Sequence, residues 1–208
     1  MNHGRSKRRD LGAHLLSAQA CDGLPADTII YNTEQIDVDS VWMQSQLFHL
    51  IQRFETWDYS QRNIEQLQRR GIGRKLRLLP VGFMPQMARI PSIPQDIDVL
   101  FYGSLNERRA DIINALRAQG LNVVVAFNCY GQERDALIAR AKIVLNVHFY
   151  AAKVFEIVRV SYLLANSKAV VSELDAETAI EPVYRDAIAG APYDRLVQTC
   201  LDLLADDS

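Results

Sequence analysis

Long hydrophobic runs are missing from this 208-residue chain. It contains no stretch of about 18 apolar residues, so no helical span of a bilayer is expected. Charge of one sign is missing as well. The formal net charge is −2, which gives no global attraction to nucleic acid or to an anionic membrane. Cysteine is scarce: Cys21, Cys129 and Cys200 are far apart, odd in number and without metal-type spacing. That excludes a disulfide framework and fits a reduced, cytoplasmic setting. Neither a G-x-G-x-x-G fingerprint nor a P-loop occurs, which argues against a standard dinucleotide or ATP site. Solenoid-type repeats and low-complexity runs are also absent.

Hydrophobic residues make up 49% of the chain, enough for one large domain or two small ones. At the amino end, Arg5, Lys7, Arg8 and Arg9 precede an apolar stretch from Leu11 to Ala20 and then Cys21. This has the outline of a short export signal, but His14 and Gln19 break it. A frayed basic start leading into a truncated domain is the reading kept. Thr28-Ile-Ile-Tyr31 reads as a short buried strand ending in Asn32-Thr33-Glu34-Gln35. Asp39-Ser40 is suited to cap a helix over about 41–53. Phe54–Tyr59 reads as a second extended piece, 61–70 as a helix capped by Ser60, and Leu76–Leu79 as a third strand. Residues 81–96 hold Pro85, Pro91 and Pro94 and little helical period. They read as a linker over the surface, between a partial α/β domain over 1–80 and a larger one over 97–208.

The second part repeats one pattern. Asp98-Val-Leu-Phe-Tyr102 reads as a strand that breaks into Gly103-Ser104, and a helix follows that ends at Gly120. Val123–Phe127 leads through Tyr130-Gly131 to a helix over 133–142. Ile143–Val147 leads to a helix over about 154–165, then Ala169–Ser172 and a last helix over about 193–205. Strand–turn–helix units in series predict an α/β fold with Rossmann-like parallel sheets flanked by helices. Ligands bind such sheets at the carboxyl ends of the strands.

Those ends supply the candidate residues. Arg108 and Arg109 open a helix, where the dipole disfavours cations unless an anion is near. Gly103 is suited to let a phosphate approach the backbone. His148 stands at a strand end, suited to contact a sugar or move a proton. Lys153, Glu156 and Arg159 are three apart, so on a buried helix they would share one face turned to a cleft. Glu34, with Asn32, ends a strand of the first part, where a carboxylate could bind or deprotonate a hydroxyl. Trp57 and Tyr59 offer rings for sugar stacking, though core packing is the commoner use of such residues. The basic run Arg69, Arg70, Arg74, Lys75 and Arg77 has little aromatic interleaving and reads as a solvated helix end rather than a nucleic-acid site. A peripheral membrane contact is its alternative.

The runs from Asp98 to Arg109, Tyr130 to Asp135, Ala141 to His148 and Phe155 to Glu173 together resemble the donor-binding half of group 1 glycosyltransferases of the GT-B type. Ile30–Gln35 and Trp57–Ser60 resemble the end of the acceptor-side domain in those proteins. The likeness covers roughly residues 11–205. It implies a GT-B-like fold with an incomplete amino-terminal domain. It also implies transfer of a sugar from a nucleotide-diphosphate sugar to a hydroxyl of a carbohydrate, lipid-linked or protein acceptor. No cofactor or metal ion is implied beyond that donor. On the resemblance, Gly103, Ser104, Arg108, Arg109 and Tyr130 approach the diphosphate, and Lys153, Glu156 and Arg159 hold phosphate, sugar and ribose. His148 and Glu34 are the catalytic candidates. The chain departs from the family where many retaining members carry two glutamates eight positions apart. Leu164 stands at that offset from Glu156, and Ala165 from Glu173. The alternative to an enzyme is a non-catalytic nucleotide-sugar-binding remnant or subunit that pairs with a partner or with itself. A sugar-nucleotide epimerase is disfavoured by the missing glycine fingerprint.

Overall fold

The computed structural model describes residues 9–11, 18–36, 46–72, 75–149, 155–176, 178 and 180–206. The chain divides into two compact units, Met1–Val81 and Gly82–Ser208. Each is an α/β unit built on a parallel sheet. Among the described residues no helix is long and apolar enough to cross a membrane.

The first unit has four parallel strands, β1 (Arg9–Leu11), β2 (Ile29–Asn32), β3 (Glu55–Asp58) and β4 (Leu76–Leu78), in that spatial order. Helix α1 (Ala18–Asp22) joins β1 to β2. Helix α2 (Gln46–Arg53) buries Leu47, Leu50 and Ile51, the i, i+3, i+4 face that its pattern calls for. These pack with Ile30, Phe54 and Leu67. Helix α3 (Gln61–Arg69) starts where the Ser60 hydroxyl accepts from the Asn63 N–H, as its sequence predicts. The strand at Arg9–Leu11 was not expected, since the sequence there reads as a frayed start. Residues 37–45, including the expected cap at Asp39-Ser40, lie outside the described residues.

The second unit contains β5 (Ile97–Tyr102), α4 (Glu107–Ala118), β6 (Val123–Ala126), α5 (Gly131–Arg140), β7 (Ala141–Asn146), α6 (Ile157–Ala165), β8 (Ala169–Glu173), α7 (Pro182–Arg185), β9 (Ala189–Ala191) and α8 (Leu196–Asp206). Its five strands are parallel and lie in the order β6-β5-β7-β8-β9. Alternate residues feed two cores. Val99, Phe101, Ile143 and Leu145 pack with Ile112, Leu116, Leu196 and Cys200 of α4 and α8. Leu100, Val144 and Val170 pack with Ile138, Val160 and Leu163 of α5 and α6. The sheet is thus covered on both faces, which explains why its strands read as near-continuous apolar runs.

Several boundaries move. Helix α5 ends at Arg140, two residues before the expected end, and Ala141 turns extended (φ −85°, ψ 133°) straight into β7. Tyr193–Arg195 is a 3-10 turn ahead of α8, and β9 carries no sequence signal at all. The proline-rich segment is tied down rather than free. Asn166, just past α6, accepts from the N–H groups of Arg89 and Ile90 (both 2.8 Å) and donates to the carbonyl of Met87 (2.9 Å). Arg89 reaches Asp135 and the hydroxyl of Tyr162.

Candidate functional site

Numbered from its own first strand, the second unit's sheet has the order 2-1-3-4-5. The direction in which successive strands are added reverses between β5 and β7, which carry their crossovers to opposite faces. In an open parallel sheet the crevice for a ligand forms at that switch, outside the carboxyl ends of the two strands. Here those ends are Tyr102-Gly103-Ser104 and Asn146-Val147-His148.

Four side chains hold the main chain just past β7. Arg109, 4% exposed, donates from Nε and Nη2 to the carbonyl of Val147 and from Nη1 to that of Ser104 (2.8 Å). Arg108 makes a fork onto the carboxylate of Glu173 and also donates to the His148 carbonyl (3.5 Å). Glu173, at the end of β8, accepts from the His148 N–H at 3.1 Å. Asn106 donates to the Phe149 carbonyl (3.2 Å), while its oxygen caps α4 by accepting from the Arg109 N–H (3.0 Å). Tyr193 supports Arg108 from below: the guanidinium carbon lies 3.9 Å from the ring centre, and the phenol donates to the Arg108 carbonyl at 2.7 Å. The hydrogen bond with Glu173 raises the Arg108 pKa further. The two arginines expected to meet a diphosphate are therefore engaged within the protein. The anion that offsets the dipole penalty at Arg108 is Glu173, 65 residues away in sequence.

The side chains on this frame form one polar group. Asn146 donates to Glu156 Oε2 (2.9 Å) and to the Ser172 hydroxyl (3.0 Å), and its oxygen accepts from Arg159 Nη1 (3.2 Å). His148 Nδ1 lies 3.1 Å from the same Glu156 oxygen, and Arg109 Nη2 lies 3.7 Å from the other. Burial pushes the Glu156 pKa up. The hydrogen bond and charge of His148, then the hydrogen bond from Asn146 and the charge of Arg159, more than offset that, and the carboxyl sits below its ordinary value. Glu156 occupies the cap position of α6 rather than a turn within it, and Arg159 lies in the first turn. The expected shared helical face of Lys153, Glu156 and Arg159 thus gives way to a helix start, and Lys153 lies outside the described residues.

Arg159 differs from the other two arginines. Among the described residues no carboxylate comes within 4 Å of it; its partners are the Asn146 amide oxygen and the Tyr102 ring, 4.9 Å from the guanidinium carbon. It lies over Gly103, whose φ is +130°. A Cβ at Gly103 would stand 3.0 Å from Arg159 Nη2. The glycine is thus required by its own backbone conformation, and a side chain there would also press on the arginine.

The remaining candidates fall elsewhere. Ser104 is exposed beside Gly103 and contributes its carbonyl to Arg109. Tyr130 precedes α5, is 73% exposed, and makes no hydrogen bond to this group among the described residues. Glu34 belongs to the first unit. Its main chain is held by Asn32 and Asn63, which also donate to the buried carboxylate of Asp58 (Asn32 at 2.7 Å, Asn63 at 3.1 Å). Tyr59 is 8% exposed and offers no ring to a sugar. Trp57 donates to Glu55 at 3.0 Å. Two Asp-x-Asp pairs occur in the chain, of the kind that can hold a metal ion with a diphosphate. Asp37 and Asp39 lie outside the described residues. Asp96 and Asp98 pair with Arg140 and Lys142 at the amino end of β5, the opposite edge from the crevice.

Sequence reasoning missed Asn146, Ser172, Asn106 and Tyr193 as members of the group. Asn146 had a signal: it is the single polar residue in the apolar run Ile143–Val147.

No family model matches the chain. Three proteins of Acanthamoeba polyphaga mimivirus are similar to it. "Uncharacterized protein L140" is 28% identical over 187 residues, covering 85% of this chain and 59% of that protein. "Uncharacterized protein L138" is 32% identical over 114 residues, covering 53% of this chain and 13% of that protein. "Uncharacterized protein L137" is 24% identical over 188 residues, covering 86% of this chain and 25% of that protein. The chain thus spans at most 59% of the length of these relatives. Their names assign no activity, so the chemistry rests on the geometry of the crevice.

Proposed function

We propose that the second unit binds a nucleotide-diphosphate sugar at the β5–β7 crevice and that the protein transfers the sugar to an acceptor hydroxyl. One observation carries this reading. Among the described residues no carboxylate lies within 4 Å of Arg159, whose guanidinium stands at the switch point beside Gly103. A guanidinium without a direct carboxylate pair is suited to phosphate oxygens. The amino end of α6 adds a favourable dipole for an anion. Charge growing on the leaving diphosphate would be stabilised by these fixed groups, with no covalent nucleophile. A second reading follows from Arg108 and Arg109. Both are occupied within the protein, which leaves fewer cations for a leaving group and favours a subunit that binds the donor without turning it over.

A thermal-shift titration with UDP, GDP and their common sugar conjugates tests both. A ligand at a hundred times its dissociation constant stabilises by about 2.7 kcal/mol. The proposal expects a shift with one nucleotide series, lost in Arg159→Gln and in Gly103→Ala, together with release of the nucleoside diphosphate, UDP or GDP, when an acceptor hydroxyl is supplied to take the sugar. Binding without release supports the non-catalytic reading. No shift with any of these ligands sinks both.

A further inference from the structure

His148 is 3% exposed, and its Nε2 has no hydrogen-bond partner among the described residues. Leaving a buried nitrogen without a partner is costly, and most buried polar atoms avoid it. Its surroundings make the orphan harder to dismiss. Asn106, Arg108, Arg109 and Glu173 all hold the main chain of residues 147–149, and Glu156 orients the ring. A histidine whose main chain and Nδ1 are both held, with a buried Nε2 left unsatisfied, has the design of a preorganised ligand contact.

The neighbours decide what that nitrogen takes. Glu156 is ionised at neutral pH and can only accept, so Nδ1 carries the proton and donates to it. In the neutral ring Nε2 is then an acceptor. An acceptor repels phosphate oxygens and calls for an O–H or N–H group. An internal water is a poor occupant, because it needs two to four polar partners. Glu156, both ends of the Asn146 amide and the Ser172 hydroxyl already have partners in this group.

We propose that His148 Nε2 accepts a hydrogen bond from a hydroxyl of a bound sugar or other polyol. Glu156 is the positioning residue that sets the tautomer, and the four clamps set the main chain. The inference deepens the donor-binding reading and rests on it: Arg159 takes the anionic end of the ligand, and His148 takes the polyol end.

The test is the nitrogen spectrum of the full chain labelled with 15N-histidine, recorded at mildly alkaline pH. His148→Gln assigns the signal among the four histidines. The ligand-free protein is expected to carry the proton on Nδ1. Glu156→Gln, checked for native circular dichroism, is expected to mix the two tautomers, an effect that loss of packing alone would not produce. The Nε2 signal is expected to move with UDP-glucose or GDP-mannose and to stay in place with UDP or GDP. His148→Gln is expected to weaken the responding conjugate about tenfold relative to its nucleoside diphosphate. A proton on Nε2 in the free protein overturns the inference. So does a bound conjugate that leaves Nε2 unmoved, the result expected if only an internal water sits there. If no nucleotide binds, free glucose and mannose are added. Movement of Nε2 by either retains His148 as a polyol contact while the donor reading falls. No movement with any of them overturns both.

Discussion

Asp58 offers the sharpest test of the physical reading of the first unit. Its carboxylate is fully buried at the end of β3. Burial pushes its pKa from 3.8 up to about 6, against the pull of hydrogen bonds from Asn32, Ser60 and Asn63. The folded state therefore holds this proton more tightly than the unfolded chain. Its contribution to stability is fully present below pH 3.8 and is lost as pH rises through about 6. The whole gap corresponds to about 3 kcal/mol, at about 1.4 kcal/mol per pH unit. Between about pH 4 and pH 7 about 2 kcal/mol of it remains to be read.

Other carboxylates titrate in the same window, so the reading needs a difference. Asp58→Asn removes the titration. It also turns one acceptor into an NH2 facing the amides of Asn32 and Asn63, so the variant is expected to be weaker throughout. The informative quantity is how that deficit changes with pH. The parent should lose its advantage by about 2 kcal/mol between about pH 4 and pH 7. At a urea slope of about 1–2 kcal/mol per molar, the gap in midpoints should narrow by roughly 1–2 M. Both tryptophans, Trp42 and Trp57, belong to the first unit, so their fluorescence follows this unit selectively. A gap that stays constant, or widens as pH rises, would refute the reasoning. It would mean that the hydrogen bonds outweigh burial at Asp58.

Two further outcomes concern the second unit. Arg108→Ala leaves the buried Glu173 carboxylate with the His148 N–H as its remaining hydrogen-bond partner among the described residues. Breaking a pair with one buried member should destabilise by roughly 3 kcal/mol in urea unfolding followed by circular dichroism, and adding Glu173→Leu should recover part of the loss. A negligible effect of the single change would show the fork to be a surface pair. Asn166→Ala removes the side chain that joins the proline-rich segment to the end of α6. Cleavage between residues 82 and 92 by a broad-specificity protease should speed up several-fold, with little change in the global unfolding midpoint. Unchanged cleavage would assign the anchoring to Ile90 and the Arg89–Asp135 pair instead.

The sheet of the second unit was legible because burial on both faces leaves a plain mark. Val99–Phe101, Val123–Val125, Ile143–Leu145 and Val170–Val171 are apolar runs bounded by polar turns, and each became a strand. Where that mark is absent, the reading failed. Strand β9 is Ala-Gly-Ala, three residues whose pairing with β8 rests on main-chain bonds that any sequence can supply. Strand β1 sits in a basic segment, and its first two residues carry charge. The end of α5 was misplaced because no loop separates it from β7. Ala141 suits either conformation, and the decision falls to Asp98, which holds Lys142 at 2.7 Å in strand register.

The arginines show a different limit. A helix dipole argument correctly says that Arg108 and Arg109 need something negative or electron-rich close by. It cannot say whether that group is a ligand or another part of the chain. The partners, Glu173 and the Val147 carbonyl, lie 65 and 38 residues away and reach the arginines only through the strand order β5-β7-β8. Arg159 is the reverse case. In sequence it is one member of an ordinary i, i+3 pair with Glu156. In the fold Glu156 turns to His148, Asn146 and Arg109, and among the described residues Arg159 is left without a matching carboxylate within 4 Å. A local pattern thus locates charge but not its balance. The balance is set by which strands are neighbours, and here, among the described residues, the sheet leaves an arginine with no direct carboxylate pair where its topology opens a crevice.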